Sequence, residues 1–156
     1  MNRIFSFLAV ISAFTSLISC EESHTETNDL SPDYLGNMTV IYEDEAFIQN
    51  NIEAQIVYND DLASLDIMLK KVKFVPAMPV TIDVTIKGIS CSRNQDGTFS
   101  INADEITPWA MGGPYEAYRV DDLSGTISDG KLSFEMIFFN INKNTGYPTE
   151  YEGSAK

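Results

Sequence analysis

Val80-Thr81-Ile82-Asp83-Val84-Thr85-Ile86-Lys87 alternates apolar and polar side chains without a break. Successive side chains on a strand point to opposite faces, so this period of two predicts a half-buried β-strand. Pro76 and Pro79 bracket a break ahead of it, because proline cannot donate to a ladder. The same period recurs on either side. Upstream, Tyr34, Gly36, Met38, Val40 and Tyr42 share one parity and stop at Glu43-Asp44-Glu45. Ile52, Ala54, Ile56 and Tyr58 form a second run, closed by Asn59-Asp60-Asp61. Leu65, Ile67 and Leu69 form a third, leading to Lys70-Lys71-Val72-Lys73-Phe74. Downstream come Phe99 and Ile101, residues 125–128, then Leu132, Phe134, Met136 and Phe138, and a last run over 147–154. Helical spacing is absent throughout, so the chain reads as all-β.

Turn chemistry suggests how the runs connect. Asp96-Gly97 and Asp129-Gly130 both suit the pair of positive φ angles in a type I′ turn, which predicts two tight hairpins. About eight strands fall within roughly 120 residues, mostly with short connections. Such a set closes into an eight-stranded antiparallel up-and-down β-barrel, with room inside for side chains or one small ligand. A β-sandwich has the same strand spacing and is the alternative. Two slips in parity predict β-bulges: one across Asp121-Asp122, between Val120 and Leu123, and one at Gly88, between Ile86 and Ile89. The second would turn Cys91 inward as a small buried hydrophobe.

The chain has 156 residues, 10 Lys+Arg against 23 Asp+Glu, and a formal charge of −13. That acidity argues against a nucleic-acid partner. Residues 1–19 carry no acid, one cation at Arg3, and an apolar stretch opening at Ile4. The stretch is short for a membrane span, which needs about 20 residues, and fits a signal-peptide core. Leu17-Ile18-Ser19-Cys20 resembles a lipobox, the cleavage and lipidation signal of bacterial lipoproteins. Cys20 would then be the acylated N-terminus of a mature chain with 9 Lys+Arg against 23 Asp+Glu, or −14. Residues 20–32 are polar and acidic and read as a tether, with the domain over 33–156. Acids directly after the lipidated Cys resemble the surface-export signal of Bacteroidetes lipoproteins. The implied location is the cell envelope, anchored by lipid at the outer membrane, on its periplasmic or surface face.

Four stretches taken in order resemble the calycin-like β-barrel domain family of Bacteroidetes lipoproteins. They are Tyr34-Leu35-Gly36-Asn37-Met38-Thr39-Val40, Leu65-Asp66-Ile67-Met68-Leu69-Lys70, Val84-Thr85-Ile86-Lys87-Gly88-Ile89 and Gly125-Thr126-Ile127-Ser128-Asp129-Gly130-Lys131-Leu132. The resemblance covers roughly Pro32 to Lys156 and implies a fold like that of lipocalins and fatty-acid-binding proteins. It carries over no catalytic residue.

Chemistry is sparse. His24 is the one histidine and lies in the tether, so no His-based triad or Cys/His zinc site can be built on the domain. Met111-Gly112-Gly113-Pro114 lacks the lysine of a phosphate loop, and 92–103 lacks the acidic ends of a calcium loop. The pairs Glu43-Asp44-Glu45, Asp60-Asp61, Asp104-Glu105 and Asp121-Asp122 read as solvated turn residues. No enzyme, metal or cofactor is expected. Candidate ligand contacts are Trp109, Met111, Tyr115, Tyr118, Phe134 and Phe138. The first three lie in the turn-rich stretch 107–115, which would form a lid or rim at the barrel mouth, or place Trp109 as a plug in one end. Ile137, Phe138 and Phe139 break alternation, marking a partner patch or a face covered by that stretch. The leading expectation is a small hydrophobic ligand held inside the barrel. The alternative is a protein-interaction or inhibitor module whose barrel is filled.

Overall fold

The computed structural model describes residues 33–156. The expected signal peptide, Cys20 and tether lie outside the described residues. Alternation becomes strand at β1 (Asp33–Tyr42), β2 (Glu45–Asn59), β3 (Ser64–Val72), β4 (Ile82–Arg93) and β5 (Phe99–Ala103). Two short pieces follow, β6 (Trp109–Ala110) and β7 (Gly113–Pro114), then β8 (Tyr118–Ser128), β9 (Lys131–Asn140) and β10 (Thr145–Ala155).

Each long strand pairs antiparallel with its neighbour in the chain, and β1 pairs with β10 from Tyr34↔Ala155 to Val40↔Thr149. The circuit β1-β2-β3-β4-β5-β8-β9-β10 therefore returns to its start, and closure leaves the long strands without an exposed sheet edge. This is a closed eight-stranded up-and-down barrel, not a sandwich. Gly36 and Gly125 allow close strand approach: a Cβ on Gly36 would lie 2.0 Å from the Glu152 carbonyl oxygen, and one on Gly125 would lie 2.3 Å from that of Ser133.

Most of the stretch 107–115 belongs to the wall, and only its last residue, Tyr115, reaches the barrel end. Ile106 bridges Val120 in the same register that joins β5 to β8. Trp109 and Ala110 then pair with Thr85 and Val84 of β4. Residues 99–110 thus act as one interrupted barrel strand. Met111 (φ 52°) and Gly112 (φ 87°) turn the chain back into β7.

Both predicted bulges are present. Opposite Asp66, β4 carries Lys87 and Gly88, the latter at φ 72°, and Cys91 follows on the inward parity at 4% exposure. Burial pushes its thiol pKa up. Opposite Met136, β8 carries an extra residue, with Asp122 at φ 52°.

Three expectations need correction. Val80 is outside the strand, which starts at Ile82, and is 61% exposed. The run at Ile52 begins earlier, at Glu45, because Glu43 (φ 50°) and Asp44 (φ 63°) supply a two-residue turn without glycine. Asp129-Gly130 has the expected pair of positive φ angles, 47° and 69°. Asp96-Gly97 does not. Only Gly97 is left-handed there, with its N–H donating to the Asn94 carbonyl (3.1 Å), so the connection is a longer loop closing on a glycine bulge. Thr98 donates its N–H (3.0 Å) and hydroxyl (2.7 Å) to the Asp96 carboxylate, which fixes that shape.

Candidate functional site

The six candidate ligand contacts fall in three places. Tyr115, Tyr118 and Phe138 meet at one barrel end, Phe134 lies deep inside, and Trp109 and Met111 are on the outer wall.

At the barrel end the aromatic rings form a continuous stack. Phe74 lies over Phe138 with centroids 3.4 Å apart, Tyr118 stacks on Phe138 at 4.9 Å, and Tyr115 meets Tyr118 at 4.7 Å. Burial raises the Tyr115 phenol pKa. Phe74 comes from the β3–β4 connection, where Met78 donates its N–H to the Val75 carbonyl (3.1 Å) and the Phe74 N–H reaches the Met78 sulfur (3.2 Å). The connection thus folds Phe74, only 2% exposed, into the mouth. The space left among these side chains, Ile82 and Tyr147 is about 20 Å³. Phe74 therefore occupies the plug position that the sequence offered to Trp109. Its signal was an apolar Phe-Val pair beside two prolines, the composition that drew notice at 107–115.

Phe134 is 3% exposed and stacks on Tyr151 at 5.3 Å. Tyr151 donates its hydroxyl to the Ile52 carbonyl (3.1 Å), and burial pushes its pKa up to about 12. Inward Tyr34, Met38, Leu65, Ile67, Ile86 and Leu132 are all at 0% exposure, so the wall's inner face is packed side chain against side chain.

Across the apolar break at Ile137–Phe139, Phe138 points into the barrel under Phe74 and Tyr118, with Tyr115 of the 107–115 stretch against Tyr118, and Phe139 points outward. Arg119 lies over Phe139 at 5.2 Å, held by Asp121 through Nε (2.5 Å) and Nη2 (2.8 Å). Two of the acidic pairs also brace the wall, since Asp104 accepts the Asp122 N–H (3.1 Å) and Glu105 approaches Arg119 at 3.9 Å. No metal-ligating cluster of three or more His, Cys, Asp or Glu occurs among the described residues.

On the outer wall, Gln55, Met68, Thr85 and Trp109 stand opposite one another in a single cross-strand row over β2, β3, β4 and β6. They line a hollow of about 420 Å³. Trp109 is 39% exposed, and the Lys87 ammonium sits 3.7 Å from the centre of its ring. Sequence reading noticed Trp109 and Met111 but could not find this row. Its members are outward residues of four different strands, and only the register aligns them.

Fold and interior together define a small, closed, filled meander barrel. Among solved structures, it is similar to that of a "putative outer membrane protein" of Bacteroides fragilis NCTC 9343, at a TM-score of 0.61 and 16% identity. The match covers 80% of this chain and 50% of that one, so this chain spans about half the length of its neighbour, and the likeness is one of fold. No protein-family model and no curated protein matches the sequence.

Proposed function

We propose that this is a calycin-like lipoprotein of the bacterial envelope, anchored through Cys20 at the outer membrane. Its filled barrel serves as a rigid platform for recognition on the outer surface. The observation that carries the reading is the space of about 20 Å³ at the aromatic end. A small-molecule pocket needs about 300 Å³ or more. Filling from within thus favours the interaction module over storage of an apolar ligand.

The wall supports the same reading. A membrane-spanning barrel is apolar outside and polar within. Here β9 alternates the other way, with Leu132, Phe134, Met136 and Phe138 inside and Lys131, Ser133 and Glu135 outside. Glu150 and Glu152 of β10 also face out. Such a barrel is built to stand in water beside a membrane, which suits an anchor on a tether. The outer-membrane name carried by the structural neighbour fits that placement. No catalytic step belongs to this reading.

Native mass spectrometry of residues 20–156 carrying Cys20→Ser tests it. The expected spectrum is the bare polypeptide mass. A co-purifying small molecule that organic extraction removes would return the function to the interior. The anchor has its own test. Cells fed radiolabelled palmitate should label the full chain, and Cys20→Ser should lose the label and leave the membrane fraction.

A further inference from the structure

The outer-wall hollow is a built site that folding does not use up. Val57 and Met111 are 67% and 77% exposed beside Trp109, so three large apolar side chains share one concavity. Its rim offers both senses of hydrogen bond. Thr85 and Lys87 bring donors; the carboxylates of Asp66 and Asp83 bring acceptors, as does the amide oxygen of Gln55, whose Nε2 donates to Asp33 (2.9 Å).

Those two carboxylates are fixed before any ligand arrives. Asp66 accepts the N–H of Gly88 (2.9 Å), and Asp83 accepts that of Lys71 (2.9 Å), each through Oδ1 at a bulge in the neighbouring strand. One oxygen of each thus holds the wall, leaving the other as an acceptor at the hollow. Groups positioned in this way cost little ordering entropy on binding.

Chemistry narrows the occupant. An anion would enter against a chain of charge −13 and meet two carboxylates. An organic cation would have to displace Lys87 from the indole and then sit beside that ammonium. A hydrocarbon chain would strip water from two carboxylates and an ammonium without pairing any of them. An uncharged ring with a flat C–H face and a rim of hydroxyls meets all three constraints, with the face against Val57, Met68 and Met111 beside the indole that Lys87 covers, and the hydroxyls toward the Asp, Gln and Thr side chains. The row crosses four strands, or about 14 Å at ~4.8 Å per interval, longer than one such ring. We infer that this hollow binds a neutral oligosaccharide a few rings long. The inference rests on the outer-surface reading above and supplies its ligand class.

Trp109 is the one tryptophan in the chain, so its emission reports this site without a label. The probes are maltohexaose, cellohexaose, xylohexaose and mannohexaose, titrated into residues 20–156 carrying Cys20→Ser. At least one is expected to shift the emission saturably, with matching heat by calorimetry. Asp66→Asn and Asp83→Asn keep an oxygen for the bulge N–H while removing the charged acceptor, and each should weaken binding about tenfold with the circular dichroism spectrum unchanged. No shift or heat with any of the four sugars overturns the inference, and so does unchanged affinity in both variants. Saturable binding of a Lys-rich apolar peptide in place of the sugars also overturns it, by making the hollow a peptide site. These failures are distinct from that of the filled-barrel reading, which falls only if a small molecule is found inside.

Discussion

At the residue scale, Phe74 determines whether this barrel is a container. Its ring lies 3.4 Å from Phe138, and truncating it would leave the aromatic end hollow. Phe74→Ala is expected to cost about 3 kcal/mol, the usual loss for a buried phenylalanine, read as a fall in the urea midpoint without a change in slope. Glu53 offers a pH-dependent counterpart. Its carboxylate is bound by Lys156 and Lys70, and those hydrogen bonds hold its pKa at about 2, against 4.5 for a free glutamate. The folded value is the lower one, so the contribution to stability is fully present above pH 4.5 and is lost as pH falls through about 2. The midpoint difference between wild type and Glu53→Gln should be constant from pH 7 to 5, shrink below 4.5, and vanish near 2. A difference that stayed flat to pH 2 would show that the two lysines do not hold this carboxylate in solution.

Among the elements, the bulges are the recurring device. Gly88, Lys71 and Asp122 adopt positive φ, and each donates its N–H to an aspartate, Asp66, Asp83 and Asp104 respectively. A bulge leaves a backbone donor out of the ladder, and an outward Asp on the adjoining strand takes it up. Asp83→Ala is therefore expected to lose about 1 kcal/mol, more than an exposed side chain normally would. Gly88→Ala should lose a similar amount. No atom lies within 4 Å of the added Cβ, so that loss would come from φ alone. Either variant melting like wild type would contradict the device. Parity made the Gly88 and Asp121-Asp122 bulges legible, because an extra residue shifts every apolar side chain after it. It left Lys71 hidden, since a strand followed by Lys-Lys-Val-Lys-Phe looks like a fraying end. The turn at Glu43-Asp44 was hidden for another reason: two acids are poor candidates for left-handed backbone, and the tertiary pairing of β1 with β2 imposes it. Val80 continued the alternation but lies outside the ladder after Pro79, so local pattern overran the strand boundary.

For the molecule as a whole, alternation gave the barrel because a closed sheet of next-neighbour strands needs only period, turn and strand number. Filling was not legible in the same way. Tyr34, Phe134, Phe138 and Tyr151 are inward in any version of this barrel, but the plug comes from a loop, Phe74, whose direction no periodicity encodes. The outer row Gln55-Met68-Thr85-Trp109 likewise depends on four registers at once. Whether the barrel can hold a ligand therefore depends on the interior being solid at Phe74, and binding of cis-parinaric acid to wild type and to Phe74→Ala tests this most directly. Wild type should leave the probe's fluorescence unchanged, and the variant should enhance it saturably as the aromatic end opens. Saturable enhancement by wild type, at a stoichiometry of one, would contradict the filled barrel.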